Sequence, residues 1–210
     1  MMKNQKEIKW LFFDVGSTLV DEDEAYRHRI KDMISGTDIS FDEIWNKRIQ
    51  YGKDGYNGDN KAIELYGLVK TPWHCEDEKP FDDAETTLSE LKNRGYKLGI
   101  IANQEPGVKE RLKSWNMGEL FDVIASSAEL GVSKPDKRIF MFALDSAECK
   151  TGNAVMVGDR LDNDIRPANE LKMTTVRIKK GLAAYMKPKC NDDIPDFTID
   201  NLSDLLSIFE

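Results

Sequence analysis

Apolar and polar positions along the chain change rhythm twice. Ile8 to Phe13 forms a short apolar run, interrupted only by Lys9, that ends on Asp14 and the small-residue stretch Val15-Gly16-Ser17-Thr18-Leu19. A run of this length reads as a buried β-strand that delivers a carboxylate into a turn. Apolar residues then recur at helical spacing with no strand between them: Tyr26, Ile30, Met33 and Ile34, then Phe41, Ile44, Trp45 and Ile49, and more weakly Ala62, Leu65 and Tyr66. A loop rich in Gly, Asp and Asn, Tyr51 to Asn60, separates the second and third of these helices, and Pro72 to Pro80 reads as a linker.

Beyond the linker, strands and helices alternate. Lys97 to Ala102 is a buried strand, and Pro106 opens a helix whose Val108, Leu112 and Trp115 share a face. Phe121 to Ala125 is a strand and Asp136 to Ala147 a helix. Ala154 to Gly158 is a strand, Asp164 to Leu171 a helix with Pro167 in its first turn, and Thr174 to Ile178 a strand. Phe197-Thr198-Ile199 and a helix over Asn201 to Phe209 close the chain. Such alternation predicts an α/β fold: a doubly wound, Rossmann-like parallel sheet with helices on both faces. Ligand groups then collect beyond the carboxyl ends of the strands. The expected core comprises residues 1–20 and 80–210. The all-helical segment 21–79, inserted after the first strand, is expected to lie over that edge.

Composition narrows the partners. Apolar residues make up 40% and charged residues 32% of 210 residues, the profile of a soluble globular protein. A net charge of −8 argues against nucleic acid, whose phosphates call for a basic face. No apolar stretch approaches the roughly 20 residues needed to span a bilayer. The amino-terminal segment carries Lys3, Lys6 and Lys9, but its apolar run is too short for a secretory signal. Cys75, Cys149 and Cys190 are scattered, fit neither a zinc site nor a disulfide framework, and suggest a reducing cytoplasm. His28 and His74 stand far apart in sequence, which disfavours a histidine-rich metal site. A monomer or a weak homodimer is expected.

Four polar clusters fall at the predicted strand ends: Asp14, Asn103, Ser133-Lys134-Pro135-Asp136, and Gly158-Asp159 through Asp164. Together they suit phosphoryl transfer. An aspartate can attack phosphorus and form an aspartyl-phosphate, which splits one hard displacement into two easier ones. Two carboxylates can hold Mg²⁺, which prefers oxygen ligands. A lysine neutralises the transferring group, and the Asn103 amide can donate to a phosphate oxygen. Each residue also has a plainer reading. Asp14 can cap a turn, Lys134 can be a charged residue ahead of a helix, and Asp159, Asp162 and Asp164 can form a turn and N-cap cluster. Arg160 and Asp162 read as surface residues. Trp45, Trp73 and Trp115 read as packing.

Asp14-Val15-Gly16-Ser17-Thr18-Leu19, Ile100-Ile101-Ala102-Asn103, Ser133-Lys134-Pro135 and Gly158-Asp159 through Asp164 resemble, in order, the four motifs of the haloacid dehalogenase-like hydrolase superfamily. The helical insertion resembles that family's first type of cap, and the likeness runs from Ile8 to Phe209. The resemblance implies a Mg²⁺-dependent phosphatase acting on a small phosphorylated metabolite. It makes Asp14 the nucleophile and a metal ligand, with the Gly16 carbonyl and Asp159 as further ligands. Asp164 is then a member of the metal site that holds bound water or the lysine, and Lys134 is the stabilising cation. Asn103, Ser17 and Thr18 are expected to contact substrate.

Two positions depart from the pattern. The family's phosphatases usually carry a second aspartate two residues after the nucleophile, as general acid and base; here that residue is Gly16. The contribution at stake is about 10²–10⁴-fold. Ala102 stands where Ser or Thr is common. Three readings follow: a phosphatase of reduced or altered activity, a phosphonate-cleaving enzyme using a cap lysine (Lys47, Lys53 or Lys61) as a Schiff base, and a non-catalytic metal- or phosphate-binding regulator. The metal-free dehalogenase variant is disfavoured by the form of the last motif. Relocation of the acid–base group to Asp21, Glu22, Asp23, Glu24 or His28 is a further possibility. A charge run at a helix start otherwise serves the helix dipole.

Overall fold

The computed structural model describes residues 7–54 and 56–210. The start of the expected core (residues 1–6, with Lys3 and Lys6) lies outside the described residues, as does Gly55 in the Tyr51–Asn60 loop. The chain opens with β1 (Trp10–Phe13) and β2 (Val20–Asp21), followed by α1 (Asp23–Ile34), α2 (Phe41–Lys53) and α3 (Gly58–Tyr66). It continues through β3 (Lys79–Pro80), α4 (Ala84–Asn93), β4 (Lys97–Ala102), α5 (Val108–Ser114), β5 (Val123–Ser126), α6 (Ser127–Leu130) and α7 (Lys137–Ser146). It closes with β6 (Ala154–Gly158), α8 (Arg166–Glu170), β7 (Thr174–Ile178), β8 (Phe197–Ile199) and α9 (Leu205–Ile208). No helix among the described residues is long and apolar enough to cross a membrane.

Six strands form one parallel sheet in the order β5-β4-β1-β6-β7-β8. The strands read as continuous apolar runs because both faces are covered. Leu11, Phe13, Leu98, Ile100, Val155 and Val157 face α4, α5 and α9. Trp10, Phe12, Ile101, Ala125 and Met156 face α7 through Ile139, Phe140 and Ala143. This alternation is the period of two that a pleated strand imposes. The α/β doubly wound core expected from the sequence is the fold observed. Helix α4 is an addition to that reading. Its inner face is Ala84, Thr87, Leu88 and Leu91, and a threonine in the apolar stripe blurs the periodicity.

The segment between β2 and β3 is helical, and these two short strands pair antiparallel, Val20 with Pro80 and Asp21 with Lys79, so the insertion leaves and returns at one place. Its centre is Ile30, Met33, Ile44 and Ala62, packed with Phe41, Trp45, Ile63 and Tyr66. Ile63 takes the inner position that the sequence pattern gives to Leu65, which is exposed. Buried Arg48 is paired with Asp59 and lies over the rings of Tyr26 and Trp45, at 3.9 and 4.8 Å from their centroids.

Candidate active site

The sheet reverses its winding between β1 and β6, the position at which an open α/β sheet forms a crevice. Phe13 is in register with Val157, and the Asp14 N–H donates to the Val157 carbonyl at 2.9 Å. Asp14 and Asp159 therefore leave neighbouring strands side by side. Lys134, ahead of α7, reaches across to both acidic motifs. Its Nζ is 2.8 Å from Asp14 Oδ1 and 2.6 Å from Asp164 Oδ1. The other Asp164 oxygen accepts from the Arg160 backbone N–H at 2.9 Å. Gly158 permits this approach, because a Cβ there would lie 2.5 Å from the Asp164 carboxyl carbon. Asp14, Asp159 and Asp164 are all buried, and each offers a carboxylate oxygen within 4.8 Å of the others. The Asp159 carboxylate faces the cavity beside Asp14.

A cavity of about 330 Å³ opens over this cluster. Asp14, Gly16, Ser17, Asn103, Lys134 and Asp159 line its floor, while Tyr26, Tyr56, Asn57 and Asn60 come from the helical insertion. Asp164 lies beneath that floor rather than in it, held by Lys134 and Arg160. The Asn103 side chain donates to the Lys134 carbonyl at 2.9 Å and accepts from the Lys134 N–H at 2.7 Å, fixing the backbone that carries the lysine. Thr18 is wholly buried and does not line the cavity, because the backbone turns through a left-handed residue at Ser17 (φ 53°) and carries Thr18 inward. Lys47 and Lys61 instead meet Gln50 and Glu64, Lys53 lies over Tyr185, and none of the three faces the cavity.

Several cavity residues do not stand out in the sequence. Arg160, read as a surface residue, lines the cavity with Asn163 and pairs with Asp162 through two bonds of 2.9 and 2.6 Å. Gln104 also lines it and accepts from Arg111 at 2.6 Å. Glu22, one of four consecutive acidic residues, lies in the wall, where its carboxylate accepts from Ser17 Oγ at 3.0 Å. The two histidines distant in sequence stack with centroids 3.5 Å apart, where His74 bridges Asp32 and Glu76. Their carboxylate partners, spread over α1 and the Cys75–Asp77 turn, make this a hydrogen-bonded contact that spacing along the chain hides.

The electrostatics of the cluster are those of crowded acids. Burial, then the charges of Asp164 and Asp14, push the Asp159 carboxyl well above the ordinary range. Burial likewise raises Asp164 to about 6, although Lys134 opposes it. Burial, then Asp14 and Glu78, raise Glu22 to about 8. Desolvation alone would lower the Lys134 ammonium, but the attraction of Asp14 and Asp164 outweighs it and the net shift is upward. Lys134 is the cation that ion-pairs with this cluster among the described residues, while Arg160 acts on Asp159 through its charge without pairing with it.

The model of the haloacid dehalogenase-like hydrolase family matches residues 11–178. The chain belongs to that family. This hydrolase is 34% identical to the glyceraldehyde 3-phosphate phosphatase of Methanopyrus kandleri over 96% of this chain and 97% of that protein. It is also 34% identical to the enzyme of the same name from Methanocaldococcus jannaschii, over 96% of each chain. Among solved structures, it superposes on a haloacid dehalogenase-like phosphatase from Thermococcus onnurineus with a TM-score of 0.68 and 25% identity, covering 96% of this chain and 97% of that one.

Proposed function

We propose that this hydrolase is a Mg²⁺-dependent phosphatase of a small phosphorylated metabolite, working through an aspartyl-phosphate on Asp14. The observation that carries the reading is the Asp14–Lys134–Asp164 chain with the Asp159 carboxylate close beside it. The donor set fits the metal. Clustered carboxylate oxygens with a surplus of negative charge suit a hard divalent cation, which would relieve their mutual repulsion. Asp14, Asp159 and the Gly16 carbonyl would hold it, and bound Mg²⁺ would supply positive charge to the transferring phosphoryl group.

The chain's own residues do the rest. The Asp14 carboxylate attacks phosphorus. Lys134 steadies both the nucleophile and the charge that develops opposite it. Asp164 holds Lys134 in place, and Asn103 fixes the backbone behind it. The helical insertion, residues 21–79, serves as the cap that selects substrate, and a cavity of about 330 Å³ admits only a small one. The archaeal relatives named for glyceraldehyde 3-phosphate make a triose phosphate the first compound to test. The unpaired Cys75, Cys149 and Cys190 fit a reducing cytoplasm.

Phosphate release from glyceraldehyde 3-phosphate and from an aryl phosphate, with Mg²⁺ and then with chelator, tests the reading. Release that needs the metal is expected. Release that is indifferent to chelator, or no release from either ester, would contradict it. A pH effect follows as well. Glu22, Asp159 and Asp164 all have raised folded-state values, so the folded protein holds protons that the unfolded chain releases. The contributions of Asp164 and Glu22 are fully present below the unfolded carboxylate values and lost as pH rises through about 6 and about 8 respectively. Metal-free protein should therefore melt at a lower temperature at about pH 8 than at about pH 5. Added Mg²⁺ should raise the midpoint more at the higher pH, where protons no longer compete for the oxygens.

A further inference from the structure

Gly16 leaves a space beside the nucleophile, and that space is filled. A Cβ built at position 16 would collide with both Glu22 carboxylate oxygens and lie 2.6 Å from the Glu22 carboxyl carbon. A side chain growing from residue 16 would thus enter the volume that the Glu22 carboxyl occupies. Glu22 arrives there by a defined route: the turn after β1 doubles back through Ser17, β2 runs for two residues, and Glu22 is the N-cap residue of α1. It makes no side-chain capping bond to that helix. Its carboxylate instead accepts from Ser17 Oγ and lines the cavity with Asp14 and Lys134. Asp21, by contrast, accepts from the Asp23 N–H, and Asp21, Asp23 and Glu24 are exposed away from this cavity.

We propose that Glu22 is the general acid and base of this hydrolase, delivered from the start of the helical insertion into the space that Gly16 leaves open. The inference rests on the phosphatase reading above. In the first step an Asp14 oxygen bonds to phosphorus and the phosphorus–oxygen bond to the leaving group breaks. The departing oxygen keeps the electron pair and takes the Glu22 proton, leaving as an alcohol. In the second step a water oxygen bonds to phosphorus while Glu22, now a carboxylate, takes one water proton. The bond between phosphorus and the Asp14 oxygen breaks, its electron pair returns to Asp14, and inorganic phosphate departs. Glu22 ends protonated, as it began.

Two substrates separate this role from a structural one. An alkyl phosphate such as glyceraldehyde 3-phosphate needs a proton on its leaving oxygen, whereas p-nitrophenolate leaves without one. Glu22→Gln should lose about 10²–10⁴-fold in kcat on the alkyl ester. On p-nitrophenyl phosphate it should release a burst near one equivalent and then stall, because water has lost its base and the aspartyl-phosphate persists. Mg²⁺ affinity, measured by calorimetry, should stay within a few-fold of wild type. Gly16→Asp should displace the Glu22 carboxyl, and Gly16→Asp combined with Glu22→Gly should recover alkyl-phosphate hydrolysis. Wild-type turnover by Glu22→Gln on both esters, or equal loss on both without a burst, would overturn the assignment and leave the phosphatase reading standing. A wild-type protein inactive on both esters would overturn the reading and the assignment together.

Discussion

Asparagine at position 14 is expected to reduce aryl-phosphate turnover by at least about 10³-fold in kcat, some 4 kcal/mol of barrier. An amide oxygen is a poor nucleophile toward phosphorus, and even the activated p-nitrophenyl ester cannot bypass a missing attacking group. The fold should survive. Asp14→Asn gives up one ion pair with Lys134 at 2.8 Å, but it also removes one of the charges that crowd Asp159 and Asp164. Its unfolding midpoint should therefore stay close to wild type. Activity that persists in a correctly folded Asp14→Asn protein would remove Asp14 from the chemistry.

Lys134→Met should produce the largest loss of stability in this set, about 3–5 kcal/mol in denaturant unfolding near neutral pH. The ammonium is almost completely buried and pairs with Asp14 and Asp164, so its removal strands those two acidic side chains without their ion-pair partner. Methionine keeps most of the volume, which separates the charge effect from a cavity effect. The penalty should shrink at acid pH, where Asp164 and Asp159 take up protons and no longer need a partner. It should shrink in Mg²⁺ too, because the metal replaces the lost positive charge. An unfolding midpoint that stays unchanged at every pH would show that the lysine does not hold the cluster together.

The core strands were legible in the sequence because both sheet faces are buried and each strand is a nearly unbroken apolar run, as in Leu98 to Ala102 and Ala154 to Val157. Three residues at the strand ends (Asp14, Asn103, Asp159) were legible for the same reason: a polar residue ending an apolar strand stands at the carboxyl edge. The Asp164 contact was harder to read, since it depends on a tight π-helical turn over Leu161–Ile165 and on the bare backbone of Gly158. Glu22 was hidden for a different reason. One of four consecutive acids cannot be singled out by pattern, and only the doubling back at Ser17 and the space at Gly16 decide which of them points inward. Thr18 shows the reverse. It belongs to the motif by position, yet the same turn withdraws it from the cavity.

The most direct measurement of the account is the site of phosphoryl attachment. Wild-type protein turning over p-nitrophenyl phosphate with Mg²⁺ is quenched in acid, reduced with borohydride and mapped by peptide mass spectrometry. Reduction converts an aspartyl-phosphate to homoserine, and the prediction is homoserine at position 14 and nowhere else, enriched when Glu22→Gln is used. Homoserine at another carboxylate, or steady phosphate release without any reducible acyl-phosphate in either protein, would contradict attack by Asp14.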